Sequence, residues 1–174
     1  QAEKQVKQII LDQAELTAAV GSNAQKIGDL YNSFMDEEFI QAQGLSPIAA
    51  DLKAAQSFNN LDEFLALLGG LEARGLSGLF YTYVSTDNKD STKNIVYLGQ
   101  SGLSLPDEAY YREDEYQQIR ESFLAHIQKM FELAKLANPS QSAKEVLLIE
   151  TKIASFHWDQ VKDRDAELTY NKMD

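Results

Sequence analysis

Only two histidines, His126 and His157, and no cysteine occur in this sequence, which limits the metal and thiol chemistry it could perform by itself. A catalytic zinc takes at least three protein ligands, often two histidines four residues apart on one helix with a glutamate between them. His126 and His157 fall in different predicted helices, and neither has such neighbours. His126 reads as a boundary side chain, and His157-Trp158-Asp159 as a local cap at a helix end. Without cysteine there is no thiolate nucleophile, no cysteine-ligated zinc and no disulfide. Asp87, Asn88 and Asp90 resemble the start of a calcium loop. Counted from Asp87, however, the glycine and glutamate such a loop needs at its sixth and twelfth places are Thr92 and Leu98. Gly69-Gly70 follows no strand and lacks the spacing of a dinucleotide fingerprint. No nucleophile and base stand at a recognisable spacing either. The chain is therefore expected to carry no catalytic, cofactor-binding or metal-binding residue of its own.

Charge removes further classes. Sixteen basic against 27 acidic residues give a formal charge of −11, which repels nucleic acid phosphates and anionic lipid surfaces. The 174 residues, 44% hydrophobic and 10% aromatic, suffice for a globular domain with a real core. No apolar run approaches the roughly 20 residues that span a bilayer. No cleavable signal is visible at Gln1, and a chain opening inside a helical pattern is expected to have lost any leader or anchor.

The elements that would position side chains are mostly helical. Val6, Ile9, Ile10, Ala14, Leu16 and Val20 predict a helix from Gln1 to about Val20, with Gly21 as its stop. Ser22 with Gln25 reads as a capping box for a second helix, whose face runs through Ile27, Leu30 and Phe34 with Phe39 as a further candidate. Gly44 stops it, Ser46-Pro47 starts a short helix to about Ala55, and Asn60 caps one from Leu61 to Ala73. The period then changes. Leu79–Val84 and Asn94–Leu98 are rich in aromatic and β-branched residues around the polar turn Asp87–Ser91, which predicts one antiparallel hairpin within about residues 79–100. Beyond it, Asp114 is a candidate cap for a helix with stripe Ile119, Phe123, Ile127, Met130, Ala134 and Ala137, ending at Asn138-Pro139. Ser142 with Glu145 reads as the capping box of another, faced by Val146, Ile149, Ile153 and Phe156. The expected fold is mainly α, with six or seven helices and one hairpin.

Between hairpin and helix lies Leu98–Arg112, where Pro106 fixes its own φ and pushes Leu105 into an extended conformation. Gly99 and Gly102 can take backbone angles closed to other residues. Leu103 and Leu105 are expected to turn inward with the rings of Tyr110 and Tyr111, so that Leu105, Pro106, Tyr110 and Tyr111 staple the hairpin to the helix.

The decapeptide Gly-Leu-Ser-Leu-Pro-Asp-Glu-Ala-Tyr-Tyr in this corner resembles the Leu-Pro-Asp-x-x-Tyr-Tyr signature of the neprilysin family of zinc metallopeptidases. Two further segments match in the right order. They are Lys26–Glu37, and Glu150–Met173 with Ile153-Ala154, Arg164-Asp165 and Tyr170-Asn171-Lys172-Met173. The motif positions are Lys26, Tyr31, Ser33, Asp36, Leu105, Pro106, Asp107, Tyr110, Tyr111, Arg164, Asp165, Tyr170 and Asn171, all read as structural. The resemblance runs from about Lys26 onward and includes no catalytic motif.

The resemblance implies that residues 1–174 are part of an N-terminal α-helical domain covering the active-site cavity of a zinc-dependent endopeptidase or oligopeptidase. Zinc would be held by a His-Glu-x-x-His motif and a downstream glutamate in a thermolysin-like domain absent from this sequence, where the motif's glutamate activates water. The implied partners are peptide substrates and that catalytic domain. Animal members carry disulfides, and Phe34 stands where the family often has cysteine, which points to a bacterial-type protein in the periplasm, cell envelope or medium. The alternative is a stand-alone helical binding or adaptor module without peptidase activity. In isolation the chain is further expected to self-associate through apolar residues such as Ile9, Ile10 and Leu16.

Overall fold

The described residues form ten α-helices and one two-stranded antiparallel sheet, the mainly α class that the change of period predicts. The computed structural model describes residues 1–76 and 78–173; Ser77 and Asp174 lie outside them. Gln1–Lys53 and Ala54–Asp174 pack as separate compact units.

In the first unit, α1 (Ala2–Glu15) pairs with α2 (Asn23–Met35). The helix predicted to reach Val20 stops five residues sooner, because a tertiary contact captures its end: the Asn32 side-chain amide donates to the Ala14 carbonyl at 3.0 Å. Val20 is consequently 94% exposed, and Gly21, at φ +80°, turns the chain toward α2. Ser22 caps α2 by accepting from the Gln25 amide, while Gln25 Oε1 reaches back to the amide of Gly21 rather than that of Ser22. The helix pair closes at Gly28, where a Cβ would stand 2.5 Å from the Gln13 carbonyl oxygen. The predicted second helix is two, since Asp36 ends α2 and accepts from the Phe39 amide at 2.9 Å to start α3 (Glu37–Gln43). A 3₁₀ turn at Ser46–Ile48 leads into α4 (Ala49–Ala54), with Leu45 rather than Ser46 at its cap position.

The second unit opens with α5 (Leu61–Glu72), capped as predicted by Asn60, whose Oδ1 accepts from the Glu63 amide at 2.9 Å. Strands β1 (Phe80–Asp87) and β2 (Asp90–Gln100) pair antiparallel from Phe80↔Gln100 to a tip at Asp87↔Asp90, with an irregularity beside Thr86. Tyr83 stacks on Tyr97 at 5.1 Å and on Tyr81 at 5.8 Å. Gly99 has no positive φ; it supplies room, since a Cβ there would lie 2.2 Å from the Tyr81 ring it faces. Gly102, at φ +87°, makes the turn out of the sheet.

Then follow α6 (Ala109–Arg112), a 3₁₀ turn at Asp114–Tyr116, α7 (Gln117–Leu133) and α8 (Pro139–Ala154). Asp114 heads the 3₁₀ turn instead of capping the long helix. That helix ends at Leu133, short of the predicted Asn138: Leu136 and Lys135 donate back to the carbonyls of Phe131 and Glu132, with Lys135 left-handed at φ +54°. This is a Schellman stop with lysine where glycine is usual, so the sequence carries no stop residue. Helix α8 starts three residues before Ser142, behind Asn138 in the left-handed region and Pro139 in the first turn. The Ser142 hydroxyl donates to the Ala137 carbonyl, and Glu145 accepts from Gln141, so the predicted Ser142–Glu145 box does not form. The inner row of α8 is Ala143, Leu147, Glu150 and Ala154, rotated from the predicted face; Ile149 is 59% and Phe156 76% exposed. Tyr111, Ile127, Ala143 and Ala154 form the buried apolar core, where a side chain such as Ile127 stabilises by about 1.5–3 kcal/mol. Short α9 (Gln160–Asp163) and α10 (Ala166–Thr169) complete the unit.

Candidate functional site

The corner at Leu103–Arg112 is built around a buried carboxylate. Helix α8 turns Glu150 inward between Ala143 and Ala154, where an unpaired charge would be costly. Its oxygens accept from the Tyr111 hydroxyl at 2.5 Å, the Ser104 hydroxyl at 2.7 Å and the Ser104 amide at 3.2 Å. The Tyr111 oxygen in turn accepts from the amides of Leu105 at 3.0 Å and Ser104 at 3.2 Å. Leu105 enters Pro106, so one phenol binds the backbone of the proline corner to a carboxylate 39 positions away. Burial first, and the Glu150 carboxylate second, push the Tyr111 hydroxyl well above its ordinary range. It remains a neutral donor.

The other residues of the corner have local tasks. Asp107 accepts from the Ala109 amide at 3.0 Å to open α6, and its second oxygen takes the Gln160 side chain at 2.6 Å. The two tyrosines part: Tyr111 is 5% exposed, whereas half-buried Tyr110 stacks on Tyr116 at 4.1 Å, with Arg120 donating to the Tyr110 and Glu113 carbonyls. Arg112 holds Glu108 at 2.7 Å and Glu113 at 2.6 Å, and Glu108 chiefly raises the guanidinium further. Leu103 and Leu105 are half-buried and Pro106 is exposed.

Behind the corner lies a cleft of about 420 Å³ lined by residues including Tyr111, Arg112, Thr151, His157 and Trp158. His157 is engaged, with Nε2 3.0 Å from the Ser101 carbonyl. Gln100 grips the backbone on both sides of the Trp158 Cα, accepting from the Trp158 amide and donating to its carbonyl, each at 2.9 Å. His126 is exposed on α7. Among the described residues no cluster of three or more histidine, aspartate or glutamate side chains could hold a metal ion. The donor set of the described residues does not fit a zinc site.

Asp87 and its partners form a second polar centre, at the hairpin tip. It is 2% exposed and accepts from the Lys172 ammonium at 2.8 Å, the Lys89 amide at 2.9 Å and the Tyr170 hydroxyl at 2.7 Å. Lys172 foremost, then the Lys89 amide and Tyr170, hold its carboxyl well below the usual range, and Asp87 raises both Tyr170 and Lys172. Asp165 caps α10 by accepting from the Glu167 and Leu168 amides, Asn171 donates to the Leu168 carbonyl, and Arg164 reaches Gln160 at 3.4 Å. The structure thus brings Tyr170 to Asp87 and leaves Arg164, Asp165 and Asn171 to local contacts. In the other unit Lys26 is exposed, Ser33 donates to the Leu30 carbonyl, Asp36 caps α3, and Tyr31 lines an apolar groove with Val6, Ile10 and Leu11.

The tasks of Glu150 and Asp87 are not legible in the sequence, although Asp87 opens the calcium-like Asp87-Asn88-Asp90 set and Glu150 opens a family segment. A lone glutamate on a helix is ordinarily a surface residue, and an aspartate at a hairpin tip ordinarily a turn residue. The one available signal for Glu150 was its register with Ala143, Leu147 and Ala154.

This architecture recurs in known proteins. The zinc metalloprotease ZMP1 of Mycobacterium tuberculosis in complex with an inhibitor superposes with a TM-score of 0.87 at 42% identity, over 98% of this chain and 26% of that one. Its open state gives 0.83 at 42% identity, over 98% and 27%. Endothelin-converting enzyme 1 of Cavia porcellus is 28% identical over 170 residues, 90% of this chain and 22% of the relative. The chain therefore spans about a quarter of the length of the relatives it resembles. Residues 1–174 match the N-terminal model of Peptidase family M13, and this chain belongs to that family of zinc metallopeptidases.

Proposed function

We propose that this chain is a non-catalytic part of a zinc-dependent metalloendopeptidase or oligopeptidase, whose helices cover the active-site cavity and restrict access to peptides. The supporting observation is the match of residues 1–174 to the N-terminal family model. In this reading the metal ligands and the water-activating glutamate belong to another part of the intact protein, and zinc supplies Lewis-acid activation of water when bound. This chain contributes shape: the Tyr111–Glu150 bond and the Gln100 grip fix the corner against α8 and the start of α9. No described helix is long and apolar enough to cross a membrane, and kinship with endothelin-converting enzymes favours a place outside the cytoplasm. Exposed Val6, Ile9 and Leu16 on the first unit support self-association of the chain in isolation.

The test is hydrolysis by the full-length protein of substrates of graded size, from a short fluorogenic peptide to a folded protein. The expected result is chelator-sensitive turnover of the short peptide with little of the folded protein. Equal turnover of both would contradict a covering role. No metal-dependent turnover of either would instead favour the adaptor reading.

A further inference from the structure

Asp87 is buried at the tip of a two-stranded hairpin, a place where carboxylates are normally solvated, and nothing in the corner or the cleft uses it. Two of its three donors arrive from 83 and 85 positions further along the chain. Residues 170–173 lie in neither helix nor strand. Among the described residues, the contacts that bind them to the hairpin are side chain to side chain. Tyr170 and Lys172 meet the two oxygens of Asp87, and Lys89 lies 4.7 Å over the Tyr170 ring while pairing with Glu167 at 3.1 Å. Each flank is held independently. The hairpin has its own ladder and the Tyr83–Tyr97 stack, and the Asp165 cap and the Asn171 side chain hold α10.

We propose that Asp87 is the catch of a strap: its carboxylate holds Tyr170–Met173 across β2, and releasing it frees the strap while the hairpin and α10 stay folded. Closed, the strap forms one wall of a groove of about 500 Å³ whose other wall is Ile95–Leu98. The charge on Asp87 is essential to the catch. An asparagine there would keep the shape but could turn an amide toward the Lys172 ammonium, setting donor against donor. The device is thus a single buried anion shared by a phenol and an ammonium, and breaking one partner strands the others. It stands on the hairpin and strap alone and does not depend on the peptidase reading.

Limited chymotryptic cleavage after residue 170 of the full-length protein tests this. In Asp87→Asn that cleavage should be about tenfold faster or more, as in a locally opening segment, while cleavage within β1 and β2 keeps its rate. Tyr170→Phe, which keeps an aromatic cleavage site, should give a smaller acceleration confined to the same bond. Lys172→Met, a change at a half-exposed position, should reproduce the Asp87→Asn effect, and the double variant should add little to either. Unchanged cleavage after residue 170 in Lys172→Met, or strap and hairpin accelerating together in all three variants, would overturn the proposal.

Discussion

The two units of this chain close by different means. Gln1–Lys53 buries a single residue among those described, Gly28, and joins α1 to α2 by close backbone approach plus one Asn32 contact to a helix end. Ala54–Asp174 buries Tyr111, Ile127, Ala143 and Ala154 together with two carboxylates, each saturated by donors from distant positions. The first is specified by shape and tolerates exposed apolar side chains on both helices. The second is specified by hydrogen bonding, which is directional and unforgiving when one partner is lost. Within it the two carboxylates also differ. Glu150 is held by a phenol, a serine hydroxyl and an amide in the apolar interior, while Asp87 is held chiefly by an ammonium that is itself half-exposed.

Truncation of the buried phenol should break the comparison most strongly. Tyr111→Ala removes an aromatic from the core and strips Glu150 and the Leu105 amide of a partner, so it should cost about 3–5 kcal/mol. Chemical denaturation of the full-length protein would read this. A Tyr111→Ala variant with an unaltered midpoint and abolished peptide turnover would make the ring a substrate contact instead.

Next in size is Gly28→Ala, the counterpart in the unit closed by shape. Its new methyl would meet the Gln13 carbonyl oxygen at 2.5 Å, and separating two backbones typically costs about 1–3 kcal/mol. Far-ultraviolet circular dichroism and melting should show the loss. The change should leave exchange rates of the Glu150 corner untouched, which sharpens the contrast between units.

Glu150→Gln is near in volume yet presents an amide where Ser104 and Tyr111 both donate. Two buried donors then compete for one oxygen, at a cost of about 1–3 kcal/mol. A variant as stable as the parent would mean the knot contributes no specificity and the corner is held by packing alone.

The smallest effect is an acid titration. Because Asp87 is depressed in the folded state, its stabilisation is fully present above the unfolded carboxylate value of about 3.9 and is lost as pH falls through the folded value. Strap opening, followed by limited proteolysis with a protease active at each pH, should therefore be flat from neutral pH down to about 4 and rise only below it. The Asp87→Asn variant should show no such rise.

Much of this could be read in advance, and the failures have physical reasons. The hairpin, the Asn60 cap and the mainly α class follow from period and cap chemistry, which are local. Helix ends differ from the sequence expectation for two reasons: distant Asn32 holds the Ala14 carbonyl where α1 ends at Glu15, and at the end of α7 Lys135 takes a left-handed turn usually given to glycine. The inner face of α8 differs from the apolar stripe because Ile149 and Phe156 are exposed, while the residue carried inward is a glutamate whose donors lie outside the helix. The Tyr-Asn-Lys motif gave no hint of a task, because its partner Asp87 is 83 positions from Tyr170 and looks like a turn residue.

The proposed division of labour leaves zinc binding and peptide hydrolysis to parts of the protein outside this chain. Calorimetric titration of zinc into the purified 174-residue chain, followed by a fluorogenic peptide assay on the same sample, tests it most directly. No stoichiometric binding and no turnover are expected. One-to-one tight binding, or hydrolysis that follows added zinc, would contradict it.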